Sequence, residues 1–327
     1  MMSAKNETIA AGVDLGGTTF KVGLITRGGE VIASQEYDTP RSNSRPLALD
    51  AIAAAVPGLM ESATIKPEQM AGVGLGIPGP VDPDAGVIKQ CPNLHELDGV
   101  EAGKRLSSAL ALPVFVGNDA YCATLAELRY GAGRDIANLV MLTLGTGVGG
   151  GIALDNQVRR GPRQIMGEIG HVIVQPGGPR CGCGNHGCLE AIVGRDGIVE
   201  RVVRLLETGR ASSLEQVAGP RHEDLTPKAI SGAAGAGDAV ALQVMGETGY
   251  YIGLALCSCI VLADPDLIVI GGGIAAAGDV LLGPIQRTVR HCSMISGFDP
   301  TNIVVAELAD EAGMYGAAAL AWEKAEA

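Results

Sequence analysis

The chain has 327 residues, of which 47% are hydrophobic, 18% are charged and 3% are aromatic, and its formal net charge is −12 at pH 7. The length predicts two domains, the apolar content excludes a disordered chain, and the composition suits an α/β enzyme. The acidic balance, without a local basic patch, argues against nucleic acid and anionic membranes as partners.

A β-hairpin with a glycine-rich turn is predicted twice along the chain. The first comprises strands over 8–13 and 20–25, with a third strand from Val31, and the second comprises strands over 139–144 and 152–154. The repetition suggests a duplicated domain. The alternative is a chance coincidence in a chain that contains 48 glycines.

Strands and helices alternate through the rest of the chain, which indicates an α/β fold. The further predicted strands cover residues 71–76, 114–116, 172–174, 267–270 and 303–306. The predicted helices cover residues 47–62, 100–110, 120–130, 195–207, 238–262 and 280–290, with a last helix from Met314. A polar segment over 211–227 is predicted to be a surface loop.

Three features bear on the cellular location. Residues 1–11 lack the apolar run and cleavage site of a signal peptide, so we predict a cytoplasmic protein. The apolar stretch over 248–263 is shorter than a membrane span and contains glycines, so we predict a buried helix. Eight cysteines are too sparse for a disulfide scaffold, which leaves them as thiols or metal ligands.

Both glycine-rich turns have the composition of phosphate-binding loops. Gly16, Gly17 and Thr18 let backbone N–H groups approach an anion closely, although the sequence is not a Walker A loop. The turn over 144–151 offers the same chemistry, so two loops could hold one polyphosphate. Asp14, at the end of its strand, could hold Mg²⁺ through water.

A cysteine-rich loop has the spacing of a metal site. Cys181, Cys183 and Cys188 lie on a turn-rich segment that can wrap a tetrahedral ion, and structural zinc suits thiolate ligands. Either His171 or His186 could supply the fourth ligand. The other cysteines are predicted to pack in the core: Cys91, Cys122, Cys257, Cys259 and Cys292.

Several polar residues are candidates for chemistry. Asn118 and Asp119 follow a strand and open a helix, so either residue could simply cap that helix, or the aspartate could be a general base. Glu168 and Glu190 bracket the cysteine loop. Isolated glutamates are usually solvated, but their position beside a metal loop favours a functional role.

Together these residues resemble the ROK family of sugar kinases and repressors, in the actin/hexokinase-like superfamily. The resemblance runs from Asp14 to about Ala319. Its motifs are Asp14-Leu-Gly-Gly-Thr, Gly76-Ile-Pro-Gly-Pro, Asn93-Leu, Asn118-Asp119-Ala, Leu144-Gly-Thr-Gly-Val-Gly-Gly-Gly, Glu168-Ile-Gly-His, Cys181-Gly-Cys-Gly-Asn-His-Gly-Cys-Leu-Glu190, Ile270-Gly-Gly-Gly and Ala312-Gly-Met-Tyr-Gly-Ala-Ala.

The resemblance implies two actin-like (ribonuclease H-like) α/β domains around a central cleft, with a zinc-binding loop. The N-terminal domain would comprise residues 1–117 plus 311–327. The C-terminal domain would comprise 118–310 and carry the zinc loop and an oligomerisation surface. A homodimer or homotetramer is expected.

The resemblance also implies an ATP-dependent hexose kinase with Mg²⁺ and structural Zn²⁺, in which Asp119 takes a proton from the sugar hydroxyl that attacks the γ-phosphate. The implied sugar-binding residues are Gly79, Asn93, Asn118, Asp119, Glu168, His171 and Glu190. The implied nucleotide-binding residues are Asp14, Gly16, Gly17, Thr18, Lys21, Gly145, Thr146, Gly147, Gly272 and Gly273. The implied zinc ligands are His171, Cys181, Cys183 and Cys188.

Glucose is the first choice of substrate, so the predicted activity is that of a glucokinase. N-acetylmannosamine, N-acetylglucosamine, fructose and allose are alternatives, because Tyr121, Gln164 and Met166 depart from the family pattern beside the expected sugar site. A transcriptional repressor would need a DNA-binding domain before Asp14, where 13 residues leave no room. A non-catalytic sugar sensor is disfavoured by the presence of Asp119 and both glycine turns.

Overall fold

The computed structural model describes residues 8–42, 46–219, 224–293 and 295–325. It separates into two compact units, one formed by residues up to Gly131 together with those from Asp310 onward, and one formed by Ala132–Ala309. The predicted lack of a signal peptide falls largely on residues outside the described range, as does part of the predicted loop over 211–227.

The elements alternate along the chain as the pattern predicts. The strands are β1 (Ile9–Leu15), β2 (Thr19–Thr26), β3 (Val31–Asp38), β4 (Met70–Ile77), β5 (Val81–Asp82), β6 (Val87–Ile88), β7 (Val114–Asn118), β8 (Leu139–Leu144), β9 (Val148–Leu154), β10 (Gln157–Arg159), β11 (Leu267–Gly271) and β12 (Ile303–Val305). The α-helices are α1 (Leu47–Ser62), α2 (Ala102–Leu110), α3 (Asp119–Tyr130), α4 (Leu189–Val193), α5 (Arg195–Glu207), α6 (Pro227–Gly235), α7 (Ala239–Ala263), α8 (Asp279–Cys292) and α9 (Ala312–Ala325).

The first unit is a five-stranded sheet in the order β3-β2-β1-β4-β7, packed on both faces. Strand alternation divides β1, because Ala11 and Val13 join the core beneath α1 and α2 while Ala10 joins the core beneath α9. Gly12 and Gly74 lie on the α9 face, where a β-carbon would collide with the helix backbone. The glycines therefore allow α9 to lie directly on the sheet.

Helix α3 belongs to this first unit, whereas the family resemblance implies a domain boundary after residue 117. The helix packs along α9, and a β-carbon on Gly316 would collide with the backbone of Cys122. The structure therefore groups residues 119–130 with the first unit. Sequence periodicity identifies a helix but does not identify the helix that it packs against, which explains the difference.

The second unit repeats the sheet arrangement of the first, with strand order β10-β9-β8-β11-β12. In both sheets an antiparallel three-stranded meander continues through two parallel strands. The core of this unit joins β8 and β11 to helices α4–α8. The repeated sheet order agrees with the duplication that the two glycine-rich hairpins suggest.

Helix α7 is long and apolar enough to cross a membrane, but 56% of its most apolar window is buried inside the described part of the chain. It therefore has the character of a core helix, as predicted for 248–263. The prediction that the remaining cysteines pack in the core holds for Cys91, Cys122 and Cys259. It is wrong for Cys292, which is exposed at the end of α8.

The predicted strand over 172–174 does not form. A short 3₁₀ helix covers Ile169–His171, and the residues after it make one isolated bridge between Ile173 and Cys188. The N–H of Val174 bonds to the carbonyl of Gly187, so within the described part of the chain the strand-like partner of this segment is the returning end of the cysteine loop. That partner is too short to form a ladder.

Asp238 joins the N-terminus of α7 to the preceding loop. Its carboxylate accepts hydrogen bonds from the N–H groups of Val240 and Ala241, at 3.0 Å each, and from Ser212 and Ser213. Burial opposes ionisation, but the hydrogen bonds from Ala241 and Ser213 outweigh it and lower the pKa of Asp238 to about 2. The charged carboxylate therefore stabilises the fold.

We expect Asp238→Ala to lower the free energy of unfolding at pH 7 by about 1–2 kcal/mol. Because the folded pKa lies below the unfolded value of 3.8, the contribution of the charge is present above pH 4 and is lost as the pH falls towards 2. Urea unfolding of the variant and the parent from pH 7 to pH 3 measures the difference. A difference that is independent of pH contradicts the prediction. Asp279→Ala, in the first turn of α8, is the control.

Candidate functional site

In the first unit, three parallel strands bring polar residues to one edge of the sheet. Asp14 on β1 is paired with Gly76 on β4, and Asn118 on β7 is paired with Ile77. The carboxyl ends of parallel strands meet at the same edge, where ligands of α/β proteins usually bind. The predicted residues at positions 14, 118 and 119 therefore share an edge.

Residues that belong to none of the sequence motifs brace the glycine-rich turn between β1 and β2. Thr39 donates a hydrogen bond of 2.9 Å to the carbonyl of Gly16. The Arg41 guanidinium donates to the carbonyl of Gly17 at 3.0 and 2.6 Å. A β-carbon on Gly17 would lie 2.8 Å from Cβ of Asn93, so the predicted sugar residue lies against the turn. Arg41 lies after β3 and belongs to no recognisable motif. Only the fold reveals its contact with Gly17.

Asn118 is both a helix cap and a partner of Asp119. Its Oδ1 accepts a hydrogen bond from the N–H of Tyr121 at 3.1 Å, while its Nδ2 donates to the carbonyl of Gly79 at 3.1 Å and to Oδ1 of Asp119 at 2.9 Å. The N–H of Ala120 donates to the same Asp119 oxygen at 2.8 Å. The capping interpretation is therefore right for Asn118. The same residue also fixes the orientation of the Asp119 carboxylate.

Asp14 lies deep enough for its ionisation to be costly. Burial raises the pKa of Asp14 to about 6, although the nearby charge of Lys21 acts in the opposite direction. A β-carbon on Gly313, in the first turn of α9, would collide with the Asp14 carboxylate. Lys21 also lies 3.9 Å from Glu311, which precedes α9. The carboxylate thus lies between a lysine and the N-terminus of α9, both of which favour its charged form while burial opposes it.

The departures from the family pattern occupy different environments. The hydroxyl of Tyr121 donates to Glu323 on α9 at 3.3 Å, and Arg129 also contacts Glu323 at 3.1 Å. Tyr121 therefore links α3 to α9. Gln164 and Met166 lie on an exposed loop of the second unit, where Gln164 adopts a φ of 61°.

In the second unit, two glycine turns lie side by side at the ends of β8 and β11. Gly271 on β11 is paired with Thr143 on β8, and Gly272 has a φ of 82°. A β-carbon on Gly272 would lie 2.6 Å from the backbone nitrogen of Leu144. The turn containing Gly145, Thr146 and Gly147 follows at once, closed by a hydrogen bond from Gly145 N–H to the Gly147 carbonyl at 2.9 Å. Gly272 and Gly273 therefore adjoin the predicted phosphate turn.

The cysteine loop gathers four candidate metal ligands. The ligand atoms of His171, Cys181, Cys183 and Cys188 lie within 4.8 Å of one another. The Sγ atoms of Cys183 and Cys188 are 3.7 Å apart, and Sγ of Cys181 is 3.8 Å from Nδ1 of His171. Zn–S bonds of about 2.3 Å in a tetrahedron place two sulfurs about 3.8 Å apart, so this donor set fits zinc.

The structure distinguishes between the two candidate histidines. His186 is exposed, and its Nδ1 lies 3.3 Å from the carbonyl oxygen of Gly178. His171 ends the short 3₁₀ helix and lies beside Cys181. Spacing along the chain accepts both histidines, and the folding of the loop agrees with the family resemblance in bringing His171 to the cysteines.

Two of the three cysteines in the cluster favour the neutral thiol when no cation is bound. Burial raises the pKa of Cys181 to about 12 and also raises that of Cys188. A backbone hydrogen bond from Asn185 lowers the pKa of the exposed Cys183. Metal ions bind thiolates, so metal binding at this cluster would release protons and weaken as the pH falls.

Glu190 joins the metal cluster to the phosphate turn within the second unit. One carboxylate oxygen accepts from the Cys181 thiol at 3.7 Å, and the other accepts from the N–H of Val148 at 3.0 Å. A β-carbon on Gly147 would lie 2.5 Å from that second oxygen. Glu168, by contrast, is exposed and precedes the 3₁₀ helix that ends at His171.

Comparison with known proteins identifies the family. The ROK family model matches residues 10–324. The chain belongs to the ROK family. Its α/β fold matches ROK sugar kinase structures, which have two actin-like domains.

Both kinases and regulators are among the ROK relatives. The glucokinase of Halalkalibacterium halodurans is 36% identical over 306 residues, which is 93% of this chain and 92% of the relative. A ROK glucokinase from Streptomyces griseus, crystallised with glucose and AMPPNP, is 32% identical with a TM-score of 0.80, covering 96% of this chain and 99% of that one. The transcriptional regulator NagC of Escherichia coli is 32% identical over 95% of this chain, which spans 74% of the regulator.

We expect the purified ROK protein to contain about one zinc ion per chain, because four ligands of suitable chemistry converge on one point. His171→Ala should lose most of this metal, and the matched variant His186→Ala should retain it. Elemental analysis after exhaustive dialysis measures the content. Equal zinc in both variants would remove His171 from the ligand set.

We expect Asp14→Asn to stabilise the ligand-free protein at pH 7 by about 2 kcal/mol, since the amide avoids burial of a charge. The folded pKa lies above the unfolded value of 3.8, so the gain is absent below pH 4, grows as the pH rises from 4 to 6 and is constant above that. Urea unfolding across this range checks the prediction, with the exposed Asp50→Asn as control for loss of one charge. A destabilised Asp14→Asn at pH 7 is the contradicting result.

Proposed function

We propose that this ROK protein is an ATP-dependent sugar kinase that transfers the γ-phosphoryl group to a hydroxyl of glucose. The observation that carries the proposal is the Asp119 carboxylate, held by Asn118 and by the N–H of Ala120 at the sheet edge that also carries the first glycine turn. Similarity to glucokinases over nearly the whole chain supports the same assignment.

In the proposed reaction, Asp119 accepts the proton of the attacking sugar hydroxyl. Its Oδ1 already accepts two hydrogen bonds, which hold the carboxylate in one orientation as the oxygen–phosphorus bond forms. Catalysis of phosphoryl transfer depends mainly on such positioning and on stabilisation of phosphate charge. Sugar-binding roles are proposed for Gly79, Asn93, Asn118, Glu168, His171 and Glu190.

Backbone N–H groups and small side chains would surround the nucleotide phosphates. This role is proposed for Gly16, Gly17, Thr18, Lys21, Gly145, Thr146 and Gly147, with Gly272 and Gly273 near the adenosine. Mg²⁺ bound with ATP neutralises phosphate charge, and Asp14 would hold that ion through water. Ionisation of the buried Asp14 is unfavourable in the ligand-free protein, and a bound cation would offset the free energy of burying its charge.

Zinc is proposed to be structural. It would fix His171 and, through Cys188, the N-terminus of α4, and so hold Glu190 in place beside the Gly145–Gly147 turn. We further propose a cytoplasmic homodimer or homotetramer, on the family similarity and the acidic charge. N-acetylmannosamine, N-acetylglucosamine, fructose and allose are the alternative substrates.

A sugar-responsive regulator is the second candidate function. The similarity to NagC favours it, because 95% of this chain is covered at 32% identity. The net charge of −12 makes direct binding to DNA by these residues unfavourable. Turnover decides between the two candidates.

We expect Mg-ATP turnover with glucose in an assay of ADP release across hexoses and N-acetylhexosamines. Asp119→Asn should lower kcat by about 10²–10⁴-fold, because proton acceptance is lost while the sugar contacts remain. Calorimetry should find glucose affinity little changed in this variant. Asp155→Asn, in the exposed turn between β9 and β10, is the matched control.

Two results would contradict the proposal. Turnover of Asp119→Asn at the parent rate would remove Asp119 as the base. Sugar binding without turnover of any sugar in the parent would favour the regulator.

A further inference from the structure

Helices α7 and α8 pack side by side with a constant register. A β-carbon on Gly249 would lie 2.5 Å from Cβ of Pro284, and one on Gly253 would lie 2.5 Å from Cβ of Thr288. Both pairs are separated by 35 positions along the chain, and they lie one helical turn apart. Two backbones that approach this closely bring the side chains of the next matching pair into contact.

The next matching pair consists of Cys257 on α7 and Cys292 on α8. The side chain of Cys292 lies close enough to the Cys257 thiol to contribute to the raised pKa of Cys257. Cys257 is half-buried and Cys292 is exposed. Cys292 lines a surface groove of about 260 Å³, together with Tyr250 and His291. Cys292 is therefore part of the wall that a small solute in this groove would meet.

These two thiols have no part in the candidate site. The cluster around His171 uses three other cysteines. Cys259, two residues along α7, is buried in the core and projects from a different face of the helix. The contact between Cys257 and Cys292 is therefore a second, separate thiol pair.

We propose that Cys257 and Cys292 form a reversible disulfide that joins α7 to α8 when the protein meets a hydroperoxide. Hydrogen peroxide oxidises the Cys292 thiol to a sulfenic acid and leaves as water. The Cys257 sulfur then attacks the sulfenic sulfur, so the S–S bond forms, the S–O bond breaks and a second water leaves. Two thiols lose two electrons in total, and the peroxide gains them.

The order of the two steps follows from exposure. Burial, together with the neighbouring sulfur of Cys292, raises the pKa of Cys257 to about 11. Cys292 is exposed, so it meets the oxidant first and Cys257 closes the bond from its contact position. The segment thus closed contains β11 and the Gly272–Gly273 turn.

The test uses the zinc-containing protein, treated with hydrogen peroxide, blocked at its remaining thiols and digested with trypsin without reduction. Cleavage at Lys228, Arg287, Arg290 and Lys324 places Cys257 in fragment 229–287 and Cys292 in fragment 291–324. We expect mass spectrometry to find these fragments linked, and dithiothreitol to separate them. The oxidised chain should migrate as a monomer on a non-reducing gel.

Cysteine variants locate the bond. The linked fragment should be absent from Cys257→Ser and from the exposed variant Cys292→Ser, which keeps the test sound if the first variant fails to fold. It should persist in Cys259→Ala, since Cys259 shares fragment 229–287 but faces the core. Three results would overturn the proposal. They are absence of the link in the oxidised parent, its loss in Cys259→Ala, and a link between two chains.

A second measurement, of Tm, tests whether the disulfide stabilises the fold. A bond that joins the two helices restricts the unfolded chain, so the oxidised parent should have a higher Tm than Cys292→Ser treated in the same way. The two proteins should have similar Tm values after reduction. A Tm that is no higher in the oxidised parent would contradict a bond formed without distortion of the helix pair.

Discussion

Close approach of glycine backbone to neighbouring backbone and side chains is the constraint on which this ROK structure depends. At the carboxyl ends of the parallel strands, Gly272 lies against Leu144 and Gly147 lies against the Glu190 carboxylate. In the first unit, Gly17 lies against Asn93 and Gly313 against Asp14. A β-carbon at any of these positions would separate the turn from the residues that it positions. The glycines thus serve packing and the proposed anion binding together.

Buried groups that prefer to be neutral connect the fold to its proposed ligands. The desolvated carboxylate of Asp14 and the buried thiol of Cys181 both resist ionisation in the ligand-free protein. Cations reverse this preference, since Mg²⁺ and Zn²⁺ bind the ionised forms. Glu190 adds a physical link, because its carboxylate contacts both the Cys181 thiol and the N–H of Val148 beside the Gly145–Gly147 turn. An ion bound at the proposed metal site would therefore act on this turn directly within the second unit.

Sequence patterns located most elements because the relevant signals are local. The helices at 47–62 and 195–207 and the strand at 139–144 have the predicted bounds. The predicted strand at 172–174 does not form, since an apolar triplet forms a strand only where a partner strand is long enough to pair with it. The prediction that Cys292 is buried is wrong for a similar reason, because burial of a helix end depends on what packs over it. The bracing of the first turn by Thr39 and Arg41 carries no motif at all.

The sequence by itself determined the α/β class, the duplicated hairpins, the family and the residue types available for phosphate, proton and metal chemistry. These depend on periodicity, glycine placement and short spacings, which are properties of neighbouring residues. The tertiary structure alone decided that Asn118 holds Asp119, that α3 packs with α9, and that Cys257 lies beside Cys292. Each of these outcomes depends on the register between elements distant in the chain or on the path of a loop, which spacing along the sequence does not encode.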